Sequence, residues 1–420
     1  MPRGFYRLIA AQFLSALADN ALLIVAIALL EERGVAGWWA PLLKFSLVVF
    51  YVLLAPVVGP LADAFPKARL MATTNAIKVL GVFAVIAGVH PVAAFAIIGF
   101  AAAAYAPAKY GLVTEIVRAG NLVVANSWIE VTAVGAVLLG TLVGGSLVSG
   151  WARGAGNALR AALPGVIDPA GSTLILSEYL VLIIYSAAAL LNIGLPRGQT
   201  KYAHGSSAPL ALARDFLRAN VTLWRDREGG LSLAVTSLFW GTGATLQFAV
   251  LRWAVDVLGL PLHQAAYLQA IAAVGVILGA SIAGRFIGIH GARRVLPAGL
   301  VLGGLALMVP LIDTVTLAVP LLVVVGIVSG IFVVPMNALL QHRGYRVLTP
   351  GRSIAVQGFN ENLSALCMLG VYALMLSMEV PIKAVMGGLG ALLILSIGAL
   401  VARERISPQA SASGRLRTRP

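Results

Sequence analysis

Ala11-Gln12-Phe13-Leu14-Ser15-Ala16-Leu17-Ala18-Asp19-Asn20-Ala21-Leu22-Leu23 lies inside an apolar run from Phe5 to Leu30. As one helix, that run is long enough to cross about 30 Å of hydrocarbon. Gln12, Ser15 and Asp19 stand at i, i+3 and i+7, so they form one polar stripe on an otherwise apolar helix. A carboxylate at that depth costs about 2.5–3.5 kcal/mol on insertion scales. It must be aimed at a cavity or a partner. A substrate or ion pathway is the functional reading, and hydrogen bonding between helices is the structural one.

Composition extends this reading to the whole chain. Of 420 residues, 60% are hydrophobic and only 11% charged, with a mean hydropathy of +0.93. A soluble domain carries about 25% charged residues. The fold class is therefore an all-α polytopic membrane protein. The net charge of +14 would suggest nucleic acid on a soluble protein. Here the basic residues cluster in short loops, so no nucleic acid partner is expected. The single cysteine, Cys367, excludes an intramolecular disulfide. Arg3, Arg7 and Ala16-Leu17-Ala18 imitate a cleavable leader, but cutting after Ala18 would split a good spanning helix.

Twelve apolar runs recur: 5–30, 41–62, 68–88, 91–112, 122–149, 173–195, 230–256, 264–289, 294–313, 317–341, 353–378 and 381–402. The polar stretch from Pro196 to Gly230 divides them six and six, with an amphipathic helix expected along the membrane surface near Leu210–Leu223. The expected units are a six-helix bundle over 1–195, a cytoplasmic linker over 196–229, a second bundle over 230–403 and a disordered tail over 404–420. Two sixes suggest repeats related by an axis along the membrane normal, the major facilitator arrangement. If the N-terminus is cytoplasmic, the inside segments hold twenty-one basic residues and the outside ones only Arg33, Arg153, Arg160 and Lys383. Both termini are therefore expected in the cytoplasm. The outer segment 150–171 reads as a long Gly- and Pro-rich loop without chemistry.

The spans carry further polar groups. Gln357, Asn360, Glu361 and Ser364 repeat the first span's stripe in the eleventh, which suits a cavity between the halves. Lys109 follows the helix-kinking Pro107. Asn75 and Lys78 share one face of the third span, and Asn126 and Glu130 one face of the fifth. Gly241 and Gly243 offer either a hinge or a packing face. After the second span, Gly59-Pro60-Leu61-Ala62-Asp63, Lys67 and Arg69 resemble the major facilitator loop signature, with a half-match at Gly284-Arg285. Asp63, Lys67, Arg69 and Arg285 are thus candidate gating residues. H-E-x-x-H, G-x-S-x-G, H-x4-D and phosphate-loop patterns are absent, so no enzyme, cofactor or metal is expected.

Six segments resemble one family, the bacterial lysophospholipid transporters of the major facilitator superfamily. They are AQFLSALADNALL (11–23), APVVGPLAD (55–63), AAAAYAPAKYG (101–111), TSLFWGTGATLQF (236–248), FVVPMNALLQHRG (332–344) and AVQGFNENLSA (355–365). The resemblance implies movement of lysophosphatidylethanolamine and lysophosphatidylglycerol from the outer to the inner leaflet of the bacterial inner membrane. It also implies a functional link to an acyltransferase that re-acylates them. It places Asp19, Lys109 and Glu361 at the family's polar positions, with Asn20 and Asn360 beside two of them, and leaves room for a coupling cation. It departs at Gln247, where the relatives carry arginine, and this bears on head-group preference. The alternative readings are a facilitator exporting drugs or other small amphiphiles, a membrane-embedded acyl-transfer enzyme and a channel.

Overall fold

The computed structural model describes residues 1–34, 39–162, 171–195, 208–260 and 262–406. The first half holds α1 (Arg3–Glu32), α2 (Trp39–Leu53), α3 (Ala55–Ala64), α4 (Lys67–Ile86), α5 (Pro91–Ile116), α6 (Leu122–Leu147), α7 (Gly150–Ala162) and α8 (Ile175–Ile193). Helix α9 (Pro209–Arg225) follows the first half. The second half holds α10 (Arg227–Asp256), α11 (Leu262–Phe286), α12 (Leu296–Met308), α13 (Val315–Val347), α14 (Pro350–Ser377) and α15 (Ile382–Ile406). Three short 3-10 turns complete the described residues, which contain no strand.

Eleven spans are long and apolar enough to cross a membrane, and α2 with α3 makes a twelfth that bends by 70°. The expected span 41–62 is therefore broken at Leu54. Pro56 explains the break: it has no N–H to donate to Val52 and its ring crowds that carbonyl. The outer segment also differs from the expected loop. Its first part is α7, because Ala152, Ala155, Ala158, Ala161 and Ala162 favour helix enough to outweigh three glycines. The expected tail begins late, since α15 runs to Ile406. The rest of the tail and linker residues 196–207 lie outside the described residues.

Small residues set the helix crossings. On α6, a Cβ at Gly140 would stand 2.6 Å from the Leu17 carbonyl of α1, and one at Gly144 would stand 2.9 Å from that of Ala21. These positions pack backbone on backbone. The halves meet where α3 and α5 touch α14 and where α6 touches α11 and α13. One buried cluster crosses this junction, joining Ala62, Leu112 and Ile129 of the first half to Ala280, Ala283 and Val334 of the second. Arg7 donates to the Gly194 carbonyl, and Arg227 pairs with Glu404. Both termini of the bundle and α9 therefore share one face, here called the linker face.

Candidate functional site

A cavity of about 200 Å³ opens at the junction of the halves. Its polar lining comes from Tyr51 on α2, Lys109 and Tyr110 on α5, Asn337 on α13, and Gln357, Glu361 and Asn362 on α14, while Trp240 of α10 adds an aromatic wall. Lys109 stands there because α5 runs on through Pro107 and presents the next turn to the junction. Its ammonium lies 4.1 Å from the centre of the Tyr110 ring, close enough for a cation–π contact. The Gln357 side-chain amide donates to Glu361 Oε1 at 2.8 Å and to Asn337 Oδ1 at 3.2 Å. The carbonyl oxygen of Gln357 is buried with no hydrogen-bond partner in the structure. Glu130 on α6 lies within electrostatic reach of both Lys109 and Glu361. One cation and one carboxylate thus line the cavity, with a second carboxylate within electrostatic reach, and partial burial makes such charges act more strongly than in water.

Asp19 takes a different place. The Lys78 ammonium of α4 lies 2.8 Å from Asp19 Oδ2 and 2.9 Å from Oδ1, and it also donates to Ser15 at 3.0 Å. Tyr185 of α8 donates to Asp19 at 2.5 Å. Ser15 donates to Asn75, and Gln12 turns the other way, to Ile129 and Thr132 of α6. The stripe of α1 is therefore shared among three neighbouring helices. Lys78 is 2% exposed and Asp19 27%, so the carboxylate keeps one accessible edge.

The other candidates separate. Asn20 donates to its own helix at Ala16. Asn360 faces α9, donating to Asn220 at 2.9 Å and accepting from the Trp224 indole at 3.1 Å. Gln247 is exposed on α10, and its backbone carbonyl accepts from Gln269. Among the gating candidates, Asp63 is buried between the halves. It accepts the backbone N–H groups of Gly351 at 2.9 Å and Arg352 at 3.3 Å, together with the Thr349 hydroxyl. A carboxylate there stabilises the start of α14 through the helix dipole. Lys67 pairs with Glu115 at 2.5 Å within the first half. Arg69 and Arg285 are exposed. Asn126 of α6 and Gln341 of α13 exchange two hydrogen bonds of 2.9 Å across the junction. These contacts join the two halves at the linker face.

Tyr51, Tyr110, Asn337 and Asn362 were not singled out from sequence. A signal existed for Asn337 and Asn362, because an amide inside an apolar span raises the same question as Asp19. None existed for the tyrosines, which look like core or interface residues.

Two packed halves of apolar spans around a polar cavity at their junction define a multi-pass membrane transporter. The chain belongs to the Major Facilitator Superfamily, whose profile matches residues 8–368. It is 37% identical over 386 residues to the Lysophospholipid transporter LplT of Yersinia pestis (strain Pestoides F), covering 92% of this chain and 90% of that one. The same figures hold for LplT of Yersinia pseudotuberculosis serotype O:3 (strain YPIII). Among solved structures, the fold is similar to the E. coli fucose:proton symporter FucP (TM-score 0.73, 16% identity, 96% of this chain and 98% of that one). It is also similar to the human organic anion transporter MFSD10 (TM-score 0.72, 17% identity, 95% and 100%). The family and the names of the relatives indicate a transporter rather than an enzyme.

Proposed function

We propose that this chain carries lysophospholipids such as lysophosphatidylethanolamine from the outer to the inner leaflet of the bacterial inner membrane by alternating access. The observation that carries this reading is the opposed charge at the cavity, Lys109 and Glu361 in its wall with Glu130 within electrostatic reach of both. A zwitterionic head group needs both signs: Lys109 meets the phosphate, and the carboxylates meet the ammonium. The cavity is smaller than the 300–1,000 Å³ of typical small-molecule sites. It therefore holds the head group, while the single acyl chain lies between helices in contact with lipid.

The linker face is the cytoplasmic one in this reading, because the sequence assigns twenty-one loop and terminal basic residues to that side and four to the other. Asp63 and the Asn126–Gln341 pair hold the cytoplasmic gate shut, and rocking of the halves breaks them. A coupling cation would compete with Lys78 for Asp19. The delivered lipid is the substrate of a lysophospholipid acyltransferase on the inner side. Uptake of labelled lysophosphatidylethanolamine into proteoliposomes, with a generic cationic drug as competitor, tests the reading. Transport of the drug but not of the lipid would overturn it.

A further inference from the structure

Helix α9 joins the halves, and its two faces are both apolar. Phe216, Ala219 and Leu223 are buried against Ala55 of α3, Leu340 of α13 and Val356 of α14. Phe216 also meets Phe359 edge-on, ring centres 5.2 Å apart. The opposite face carries Leu210, Leu217, Val221 and Trp224 at i, i+7, i+11 and i+14, with exposures of 83%, 59%, 46% and 41%. Beside that stripe stand Arg214, Arg218 and Arg225, all exposed, with Asp215 offsetting Arg218 at 3.6 Å.

Depth decides what covers the outer face. Asn360, the partner of Asn220 and Trp224, lies ten residues into α14, about 15 Å from its tip. Ala55, which α9 also covers, lies at the opposite end of α3 from Asp63. The helix thus runs beside the ends of the spans instead of capping them from below. An apolar stripe at that depth, edged by arginines, matches the interface of a bilayer that carries negative charge.

We propose that the outer face of α9 binds the anionic phospholipid of the leaflet at the linker face, and that this attachment braces the closed gate. The brace follows from what α9 touches. It packs on α3 of one half and α14 of the other, the two helices that Asp63 ties together. Lipid that holds α9 in place therefore favours the arrangement in which both are gripped. Calling that leaflet the inner one rests on the orientation proposed above; the binding itself does not depend on the cargo.

The test uses the full chain with Cys367→Ser and Leu217→Cys carrying an environment-sensitive fluorophore, in vesicles of phosphatidylcholine with or without phosphatidylglycerol in both leaflets. That symmetry keeps the outcome independent of orientation. Spin labels on a second variant, Arg118→Cys with Arg294→Cys, report the gate from one exposed loop of each half. Phosphatidylglycerol is expected to bury the fluorophore, with quenching by spin-labelled lipid, and to enrich the short distance between the spin labels. Arg214→Gln, Arg218→Gln and Arg225→Gln together should raise the phosphatidylglycerol share needed for half the effect by about tenfold or more, since each basic residue at an anionic surface is worth about fivefold. A fluorophore that stays in water, a distance distribution indifferent to phosphatidylglycerol, or shielding that needs an added cytosolic protein would overturn the proposal.

Discussion

Lys78 of α4 and Asp19 of α1 form an ion pair of 2.8 Å, with the ammonium 2% exposed. The two charges sit inside the spans, where neither is tolerable alone. Ser15 and Tyr185 complete the shell, so the pair is both neutralised and hydrogen-bonded. That arrangement makes Asp19 structurally committed as well as a candidate for function.

Asp19→Asn leaves Lys78 buried beside a neutral amide. Breaking a buried pair costs about 3–5 kcal/mol, and the lower end applies because Asp19 is partly exposed. The melting temperature should fall measurably. Asp19→Asn with Lys78→Met removes both charges and should restore most of the loss. If Asp19 also serves substrate or a coupling cation, the double variant is stable and does not transport. A double variant that transports at the wild-type rate would reduce the pair to packing.

Much of this was legible in the sequence, and the remainder was hidden for definite reasons. Hydropathy fixes the spans because a continuous apolar run of about twenty residues satisfies its backbone in lipid as a helix, whereas a barrel strand would alternate. The 3.6-residue period placed Asp19 and Glu361 on polar stripes, and Lys109 stood out by its place after Pro107. It did not show that Lys78 lies against Asp19, because that pairing depends on how α1 and α4 cross. Asn360 and Glu361 share a stripe on paper, yet adjacent residues point about 100° apart. One turns to α9 and the other to the cavity. The α2–α3 break was signalled by Pro56 but masked by unbroken hydropathy.

Orientation is open to a simple check. Alkaline phosphatase fused after Gly205 should be inactive and fused after Arg160 active. The reverse pattern would place the linker face outside.

Asp226 ties the start of α10 to α13. It accepts from the Gly229 N–H at 2.8 Å and from two nitrogens of Arg343 at 2.8 and 2.9 Å. Partial burial alone would push its carboxyl up, but the Arg343 hydrogen bond, the backbone N–H and the Arg343 charge together hold it below the ordinary 3.8. Because folding lowers this value, the stabilisation is complete above that pH and is lost as the pH falls below it. Asp226→Ala should cost about 1–2 kcal/mol at neutral pH, through the lost cap and ion pair. The gap between the two proteins in a thermal melt should shrink as the pH drops under 3.8.

The cavity charges predict a split in substrate handling. Lys109→Gln removes the sole cation among the polar lining residues and should raise the KM for lysophosphatidylethanolamine about tenfold or more, the worth of one charged hydrogen bond. Glu361→Gln removes one of the two proposed ammonium partners. It should hurt lysophosphatidylethanolamine more than lysophosphatidylglycerol, which carries no ammonium. Equal losses for the two lipids in a side-by-side uptake assay would remove Glu361 from the head-group site.

Asp63 offers the most direct test of the proposed gate. Its two oxygens accept from Gly351, Arg352 and Thr349, all at the start of α14 in the other half. Asp63→Asn keeps the shape, removes the charge and turns one acceptor into a donor facing donors. The closed form should lose about 1–2 kcal/mol, a fivefold to thirtyfold shift toward opening. Gly59→Val approaches the same crossing without changing charge, since even a Cβ there would stand 3.0 Å from the Arg352 backbone and from Ala355. Both variants should lengthen the distance between spin labels at Arg118→Cys and Arg294→Cys, and both should stay folded, because the halves keep their own cores. If Asp63 were only a helix cap, Asp63→Asn would lower the melting temperature and leave the distances unchanged. If only Gly59→Val opened the gate, close packing rather than the carboxylate would be what holds the linker face shut.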